Sequence, residues 1–403
     1  MTMKVNPSPS EQGRAAACVT VQSGDAGRVV APARRRMSRG LPIACLAGLF
    51  ALLSLVGGCA DDTGGARELL ALDGRTMGTT WSVRVAAPPP GLREAALRAD
   101  VEARLVRINA LMSTWDPASE LSRFNAAPIG EWFAVDAELV AVVEAARTLG
   151  ELSEGAFDVT VGPLVNLWGF GPQAEVGRDA VPSEAALEAA LRRVGFAGVE
   201  TRRAPPALRR TADLEVDLSA IAKGYGVDAV ASILEAHGVQ RYLAEIGGEL
   251  RARGHNARDV PWQVGIETPD AQQRGVAREA IGLDGAAVAT SGDYRNFFTV
   301  DGVRYSHTID PTTGRPVTHD VASVTVIHSS AMWADGWATA LNVMGAERGL
   351  ALAAEQDLAV LFILYEADDR PDEGEVGGDE SRDGRFVERP SEPFQTYRAR
   401  SAP

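Results

Sequence analysis

The chain has 403 residues, of which 45% are hydrophobic and 23% charged, so it is long enough and apolar enough to bury a substantial core. Its formal net charge of -14 argues against nucleic-acid binding, because phosphate backbones need clustered Lys and Arg, and a phosphorylated ligand would require a metal cation to offset part of that charge. The three cysteines are Cys18, Cys45 and Cys59, and no pair lies beyond the export segment described next, which excludes a disulfide framework.

An export signal is indicated near the N-terminus. An apolar run over 41–56 follows the basic residues of 34–39 and ends in two glycines and Cys59, which is typical of a secretory signal. A cysteine directly after small residues resembles the lipobox of bacterial lipoproteins. We therefore expect Cys59 to be lipidated and to anchor the exported protein to the inner or outer membrane on the periplasmic side. A plain membrane anchor is the alternative, although the run is short for the ~20 residues that a span needs.

The same patterns divide the chain into five segments. We expect a signal and export segment over 1–58, a lipidated tether over 59–72, one large domain over 73–365, an acidic, Gly-rich mobile insert over 366–385 and a C-terminal segment over 386–403. Translation from Met37 instead of Met1 would leave a more compact signal.

The first half of the large domain predicts one strand and three helices. Residues 76–85 alternate in hydrophobicity like a strand, and 92–112 and 138–152 carry apolar residues at helical spacing. A third helix is predicted to begin after Ser183, a plausible N-cap, and to end at Val194.

The second half is richer in strands. Strands are predicted over 214–218, 242–246, 262–266, 286–290, 297–300, 323–327 and 358–365, and helices over 222–237 and 334–344. Because strands and helices do not alternate strictly, the pattern favours an α+β fold over a doubly wound sheet.

A G-x-G-x-x-A motif runs from Gly224 to Ala229, at the start of a predicted helix, with Glu245 beyond it. This spacing is the signature of dinucleotide-binding sites. Here, however, residues 219–223 separate the predicted strand from the first glycine, and export would remove the protein from the cytoplasmic nicotinamide pool. A nicotinamide-dependent oxidoreductase therefore stays an alternative on this motif.

Asp335 and Thr339 lie four residues apart on a predicted helix, so their oxygens share one face. A carboxylate and a hydroxyl are ligands that Mg²⁺ accepts. From spacing alone, a structural role is favoured for both residues, since Asp stabilises a helix start and Thr often bonds back to the backbone.

His307 directly precedes an Asp-Pro turn that runs to Gly314. A histidine delivered to a cleft by a strand end could act as a general base at neutral pH. A structural histidine bonded to the turn is the alternative.

Residues 155–171 combine several glycines with Phe157, Trp168 and Phe170. Aromatic rings beside adaptable backbone suit stacking on a flat heteroaromatic ligand. For each ring individually, packing in the core beneath a loop is the alternative.

Taken together, these segments resemble the family of FAD:protein FMN transferases, the ApbE-type flavin transferases. The matching segments run in order from about residue 73 to 365: TMGT at 76–79, MSTW at 112–115, SELSRFN at 119–125, the 155–171 segment, DLSAIAKGY at 217–225, IGGE at 246–249, TSGDYR at 290–295, SHTIDP at 306–311 and ADGWAT at 334–339.

The resemblance implies an α+β, two-lobed body with mixed β-sheets flanked by helices and an FAD cleft between the lobes. It implies FAD contacts at Met77, Trp115, Ala156, Phe157, Asp158, Asp217, Lys223 and Ile309, and magnesium held by the Asp335 carboxylate, the Thr339 hydroxyl and the backbone oxygen of Ala220. The family often has Tyr at the position of Trp115, and since the ring is kept, stacking should survive.

The resemblance also implies the reaction. FAD and a Thr or Ser hydroxyl of a target protein would give the FMN-modified protein and AMP, with Mg²⁺ as cofactor and His307 as the candidate base. Acceptors in the family are flavoprotein subunits of membrane redox complexes of the Nqr and Rnf type. The alternatives are a hydrolase that splits FAD into FMN and AMP, and a flavin-binding lipoprotein without enzymatic activity.

Overall fold

A computed structural model describes residues 20–21, 68–171, 181–270, 275–292, 297–300, 303–366, 386–398 and 400. The predicted lipidation site at Cys59, the export segment apart from residues 20–21, the tether up to residue 67, and the acidic insert apart from Glu366 lie outside these residues. No helix within the described part of the chain is both long and apolar enough to cross a bilayer.

The described residues form short helices and many strands. The helices are α1 (Glu94–Met112), α2 (Glu120–Asn125), α3 (Ala137–Leu152), α4 (Gly162–Leu167), α5 (Glu184–Leu191), α6 (Ala222–Ala236), α7 (Ala331–Met344), α8 (Ala346–Glu355) and α9 (Gln395–Arg398), with a 3-10 turn at Phe196–Gly198. The strands are β1 (Thr20–Val21), β2 (Leu69–Thr76), β3 (Thr79–Ala86), β4 (Phe133–Ala134), β5 (Val199–Arg203), β6 (Pro206–Arg210), β7 (Tyr242–Ile246), β8 (Glu249–Arg253), β9 (Trp262–Glu267), β10 (Ala277–Leu283), β11 (Ala286–Gly292), β12 (Phe297–Val300), β13 (Val303–Ser306), β14 (Val321–His328), β15 (Ala359–Tyr365) and β16 (Phe386–Pro390).

One large sheet organises the molecule. Its eight strands lie in the order β16-β15-β14-β11-β8-β7-β3-β2, and three small sheets pair β1-β9-β10, β12-β13 and β4-β6-β5. All the paired strands in these described sheets run antiparallel, where the resemblance implied mixed sheets. The predicted α+β class is confirmed, because a doubly wound fold would need parallel strands.

The sheet is covered on both faces at its centre. Val324 and Val326 of β14 belong to the same apolar cluster as Trp337 of α7. On the opposite face, Leu361 of β15 clusters with Val264 of β9. Burial on both faces explains why β15 reads as a continuous apolar run in the sequence, and the contacts of β14 fix α7 against the sheet.

The single strand predicted over 76–85 was wrong. Residues 76–85 belong to a hairpin rather than to one strand, because Met77 and Gly78 both adopt positive φ, 48° and 70°, and turn the chain between β2 and β3. Strand β2 begins at Leu69, before the predicted domain start at residue 73. Strand β16 and helix α9 of the 386–403 segment pack against β15 and β10 of the same body.

The strand predicted over 214–218 is also absent. The amide of Asn125 replaces a neighbouring strand: its Nδ2 donates to Val216 O at 2.8 Å, and its Oδ1 accepts from Val216 N at 2.9 Å. The next residue, Asp217, donates its N–H to Val159 O at 2.7 Å. These bonds hold an extended segment that leads directly into α6, so they position the residues at the start of that helix.

Gly224 allows α6 and α7 to approach closely. A Cβ atom at this position would lie 2.2 Å from Ala331 O and 2.8 Å from Asp335 Cβ. The Gly224 N–H donates to Asp335 Oδ2 at 3.0 Å. The glycine motif therefore serves packing between two helices, which rules out its interpretation as a phosphate-binding turn after a strand.

A pair of substitutions tests this packing. We expect Gly224→Ala to lower the free energy of unfolding by about 1–3 kcal/mol, because it forces backbone atoms apart. Gly226→Ala is the matched control, since its Cβ would meet only flexible side-chain ends, Ile246 Cδ1 at 3.0 Å and Met77 Cε at 3.2 Å, and Ala favours helix by up to about 1 kcal/mol. Urea unfolding of both variants is the measurement, and equal effects would contradict the close-packing account.

Candidate active site

A cleft of about 320 Å³ opens beside the start of α6 and the polar face of α7. Its other walls are the loop before α4, the end of β11 and the segment after β13. The predicted site residues that line it are Trp115, Ala156, Phe157, Asp158, Asp217, Ala220, Lys223, His307, Ile309, Asp335 and Thr339. These residues span more than 200 positions of the sequence, and they meet in one cavity.

Met77 is the exception among the described site residues. It lies in the β2–β3 turn, is partly buried, and packs against two apolar clusters rather than lining the cleft. Its contact with FAD stays a prediction from the resemblance.

Helix α7 presents a polar row to the cleft. Asp335, Thr339 and Asn342 follow one another at spacings of four and three, which places them on one helix face. Asp335 is only 3% exposed, and Thr339 Oγ1 lies 3.3 Å from Ser291 Oγ at the end of β11. The two predicted metal ligands thus share a face and a cavity.

The first turn of α7 is held by Asp228 of α6. The Asp228 carboxylate accepts hydrogen bonds from Ala331 N at 3.0 Å, from Met332 N at 3.1 Å and from Ser330 Oγ at 2.6 Å, and it pairs with Arg251. A carboxylate that satisfies the free N–H groups of a helix start stabilises that start. Asp228 therefore fixes the helix that carries Asp335.

Lys223 sits between two buried carboxylates. Its Nζ lies 3.3 Å from Glu249 Oε1 and 3.6 Å from Asp335 Oδ1. Burial disfavours the charged ammonium, but the attraction of Asp335 and Glu249 outweighs it and raises the pKa of Lys223 above its ordinary value, so the side chain is a cation. Burial raises the pKa of Glu249 to about 8 despite the nearby ammonium.

The residues present fit a divalent cation. The Asp335 carboxylate, the Thr339 hydroxyl and Ala220 line one cavity, and among the described residues none bonds the buried Oε2 of Glu249 there. The described residues contain no cluster of three His, Cys, Asp or Glu suited to a metal. The set predicted from the resemblance needs only one carboxylate, Asp335, beside the Thr339 hydroxyl and the Ala220 carbonyl, which are oxygen ligands suited to Mg²⁺.

The raised pKa of Glu249 predicts a pH-dependent stability of the metal-free protein. Because its folded-state pKa of about 8 lies above the ordinary 4.5, its contribution to stability is full below about pH 4.5 and is lost as the pH rises through about 8. We expect Glu249→Gln to flatten this loss, which is on the order of a few kcal/mol. Urea unfolding at pH 5 and pH 8.5 in the presence of a chelator measures it; an unchanged pH slope in the variant would refute the assignment.

The Asp158 and Asp217 carboxylates shape their own loops. Asp158 accepts from Thr160 N at 2.7 Å and from Phe196 N at 2.9 Å, and burial raises its pKa. Asp217 accepts from Ser219 N at 2.7 Å. Both residues line the cleft while they hold its walls in shape.

The aromatic residues near the cleft differ in their exposure to solvent. Trp168 is 2% exposed and donates its Nε1–H to Gly314 O at 2.8 Å, and Phe157 is almost fully buried, so the core interpretation is confirmed for both. Phe157 nevertheless lines the cleft, as does Phe170. Trp115 is 70% exposed at the cleft, where its ring is available to cover a flat ligand.

His307 follows β13 and faces the cleft half-buried. Its ring meets Phe170 edge-on, with 6.2 Å between ring centroids. The turn beyond it is held by Asp310, which accepts from Thr312 N at 2.8 Å. A position beside the polar face of α7 suits proton transfer in the cavity.

Several polar residues of the cleft were not assigned from the sequence, among them Glu249 and Asn342. Glu249 belongs to the IGGE segment that carried the resemblance, but its burial beside Lys223 gave no sequence signal. Asn342 is 2% exposed and donates from Nδ2 to Thr308 Oγ1 at 3.2 Å, and its Oδ1 has no hydrogen-bond partner within the described part of the chain. Extending the helical face of Asp335 and Thr339 by three residues could have identified it.

Comparisons with known proteins agree on one family. The model of the ApbE family matches residues 77–362. The FAD:protein FMN transferase of Vibrio cholerae serotype O1 is 47% identical over 317 residues, which cover 78% of this chain and 92% of that protein. The FAD:protein FMN transferase of Klebsiella pneumoniae is 40% identical over 328 residues, 81% of this chain and 93% of that protein.

Solved structures give the same result. The flavin transferase ApbE from Vibrio cholerae superimposes with a TM-score of 0.72 at 44% identity, covering 82% of this chain and 99% of that one. The apo form of the flavinyl transferase ApbE from Pseudomonas stutzeri gives a TM-score of 0.72 at 38% identity, with 83% of this chain and 98% of that chain covered.

Proposed function

Because the chain belongs to the ApbE family and is an FAD:protein FMN transferase, we propose that it moves FMN from FAD to a Thr or Ser hydroxyl of a target protein in a Mg²⁺-dependent reaction that releases AMP. The observation that carries the proposal is the meeting of Lys223, Asp335, Thr339 and His307 in one cleft with an apolar wall. The nicotinamide-dependent alternative is wrong, since these comparisons place the chain among the flavin transferases.

The charges of the cleft suit a diphosphate. The Lys223 ammonium is retained in the cavity and can bond the pyrophosphate oxygens of FAD. Asp335, Thr339 and the backbone oxygen of Ala220 would hold Mg²⁺ beside it. When bound there, the metal supplies charge neutralisation for the leaving AMP phosphate.

The walls suit the flavin ring. Phe170 and the 156–158 segment offer an apolar surface inside the cleft, and Trp115 can close over the outer side of a flat ring. Ile309 follows β13, lines the cleft and is 5% exposed, so it can limit movement of the ring. Holding both halves of FAD this way aligns the phosphate with an incoming hydroxyl.

His307 is the candidate base. Its imidazole would take the proton of the acceptor hydroxyl while that oxygen forms a bond to the FMN phosphorus. The bond from this phosphorus to the bridging oxygen breaks, and the electron pair leaves with AMP. The pocket thus needs to position and neutralise rather than to form a covalent intermediate.

The partners follow from the same proposal. We expect acceptors to be flavin-carrying subunits of membrane redox complexes of the Nqr or Rnf type. A lipid on Cys59 would hold the enzyme at the periplasmic side of the inner or outer membrane, close to such subunits.

One assay separates the possible activities. The full chain in detergent is incubated with FAD, Mg²⁺ and a purified acceptor subunit. A fluorescent flavin band on the acceptor in a denaturing gel supports transfer. FMN and AMP without that band would mean hydrolysis of FAD instead, and unchanged FAD would mean a binding protein; either of these results overturns the proposal.

A further inference from the structure

The Lys223 ammonium contacts Asp335, the carboxylate that is proposed to bind the metal. Asp335 Oδ1 faces the Lys223 ammonium at 3.6 Å, and Asp335 Oδ2 accepts the Gly224 N–H at 3.0 Å. Both oxygens of the predicted metal-binding carboxylate are therefore engaged within the protein itself. The side chain of Asp335 is almost completely buried, so solvent does not weaken these contacts.

We propose that Lys223 competes with a divalent ion for Asp335: its ammonium neutralises this carboxylate until FAD draws it away, and it thereby lowers the affinity of the site for divalent ions in the absence of FAD. This inference rests on the proposed function, because it assumes that Asp335 is a metal ligand. A divalent ion bound to Asp335 would experience the nearby ammonium as a like charge in a poorly solvated pocket.

Glu249 and Ser219 hold the Lys223 ammonium independently of Asp335. Glu249 Oε1 lies 3.3 Å from Lys223 Nζ, and the backbone oxygen of Ser219 accepts from Nζ at 3.4 Å. The ammonium therefore has partners that remain when Asp335 turns to a metal. Its 22% exposed side chain also lines the cleft, where the pyrophosphate of FAD can attract it.

The consequence is coupled binding of FAD and metal. Once the pyrophosphate draws the ammonium away from Asp335, the repulsion on the divalent ion falls, so FAD raises metal affinity and metal raises FAD affinity by the same factor. Lys223 thereby makes the metal site selective for a metal ion that arrives together with its diphosphate ligand.

The test is Mn²⁺ binding to the metal-free full chain without FAD, measured from the EPR signal of free Mn²⁺. We expect Lys223→Met to bind Mn²⁺ about 10-fold or more tightly than the wild type, because the competing charge is gone. Lys223→Arg keeps a cation and should stay near the wild-type affinity. A contact that served FAD alone, or only the fold, would leave Mn²⁺ binding unchanged or weaker in Lys223→Met.

A second variant keeps the inference testable if Lys223→Met does not fold. In Lys223→Gln the side chain keeps hydrogen-bonding groups but loses the charge, so Mn²⁺ binding should tighten as it does in Lys223→Met. Unchanged or weaker binding in this variant, or a Lys223→Met affinity no better than wild type, overturns the inference. Mn²⁺ binding that survives Asp335→Ala would instead refute the metal site itself, and with it this part of the proposed function.

Discussion

Replacing Asp335 by Ala is expected to reduce Mg²⁺-dependent FMN transfer by at least about 1,000-fold. The carboxylate is the only acidic member of the proposed ligand set, and metal-derived charge stabilisation of several kcal/mol corresponds to a loss of this size. The measurement is the initial rate of acceptor flavinylation at saturating FAD, followed by in-gel flavin fluorescence.

Two further variants separate chemistry from folding. Asp335→Asn keeps an oxygen that can accept the Gly224 N–H, so it should fold like the wild type and still lose transfer. Asp73→Ala removes an exposed carboxylate of β2 outside the cleft and should leave the rate unchanged. Full activity in either Asp335 variant would show that the metal is held elsewhere.

Replacing His307 by Asn is expected to slow transfer by about 100-fold or more while FAD still binds. Loss of a general base typically lowers a rate by about 10²–10⁴-fold, and Asn retains a polar side chain of similar reach without the basic nitrogen. Single-turnover rates of acceptor flavinylation give the chemical step, and quenching of flavin fluorescence gives FAD affinity.

The control for this variant is another histidine. His237 pairs with Asp100 at 2.8 Å between Nε2 and Oδ2 and does not line the cleft, so His237→Asn should leave both rate and affinity unaltered. If His307→Asn lost FAD affinity in proportion to rate, the residue would position the ligand or the loop instead of accepting a proton.

Sequence periodicity predicted the helices better than the hairpins. Helix α3 was expected over 138–152 and is found at Ala137–Leu152, because its apolar residues recur at helical spacing and pack into one cluster. The β2–β3 hairpin was missed because its turn residues, Met77 and Gly78, lack the Asn-Gly or Asp-Gly signature of such turns. The segment over 214–218 has strand composition, but the side chain of Asn125 satisfies its backbone, which no local pattern reveals.

Within the site, the sequence predicted which residues share one face of a helix, but it did not predict the contacts between different helices and strands. The shared face of Asp335 and Thr339 follows from helical geometry alone. The contact of Lys223 with Glu249 depends on how α6 packs against β8, and the closeness of α6 to α7 depends on the missing side chain of Gly224. These are tertiary arrangements, so from the sequence only the family resemblance could bring the residues together.

The central claim is that Asp335 and Thr339 hold a divalent ion against the pyrophosphate of FAD in this cleft. Crystals grown with FAD and Mn²⁺, measured by anomalous diffraction at the manganese edge, test it directly. The account predicts an anomalous peak bonded to the Asp335 carboxylate and the Thr339 hydroxyl, with the diphosphate beside Lys223. A peak elsewhere, or FAD bound outside the cleft, would contradict it.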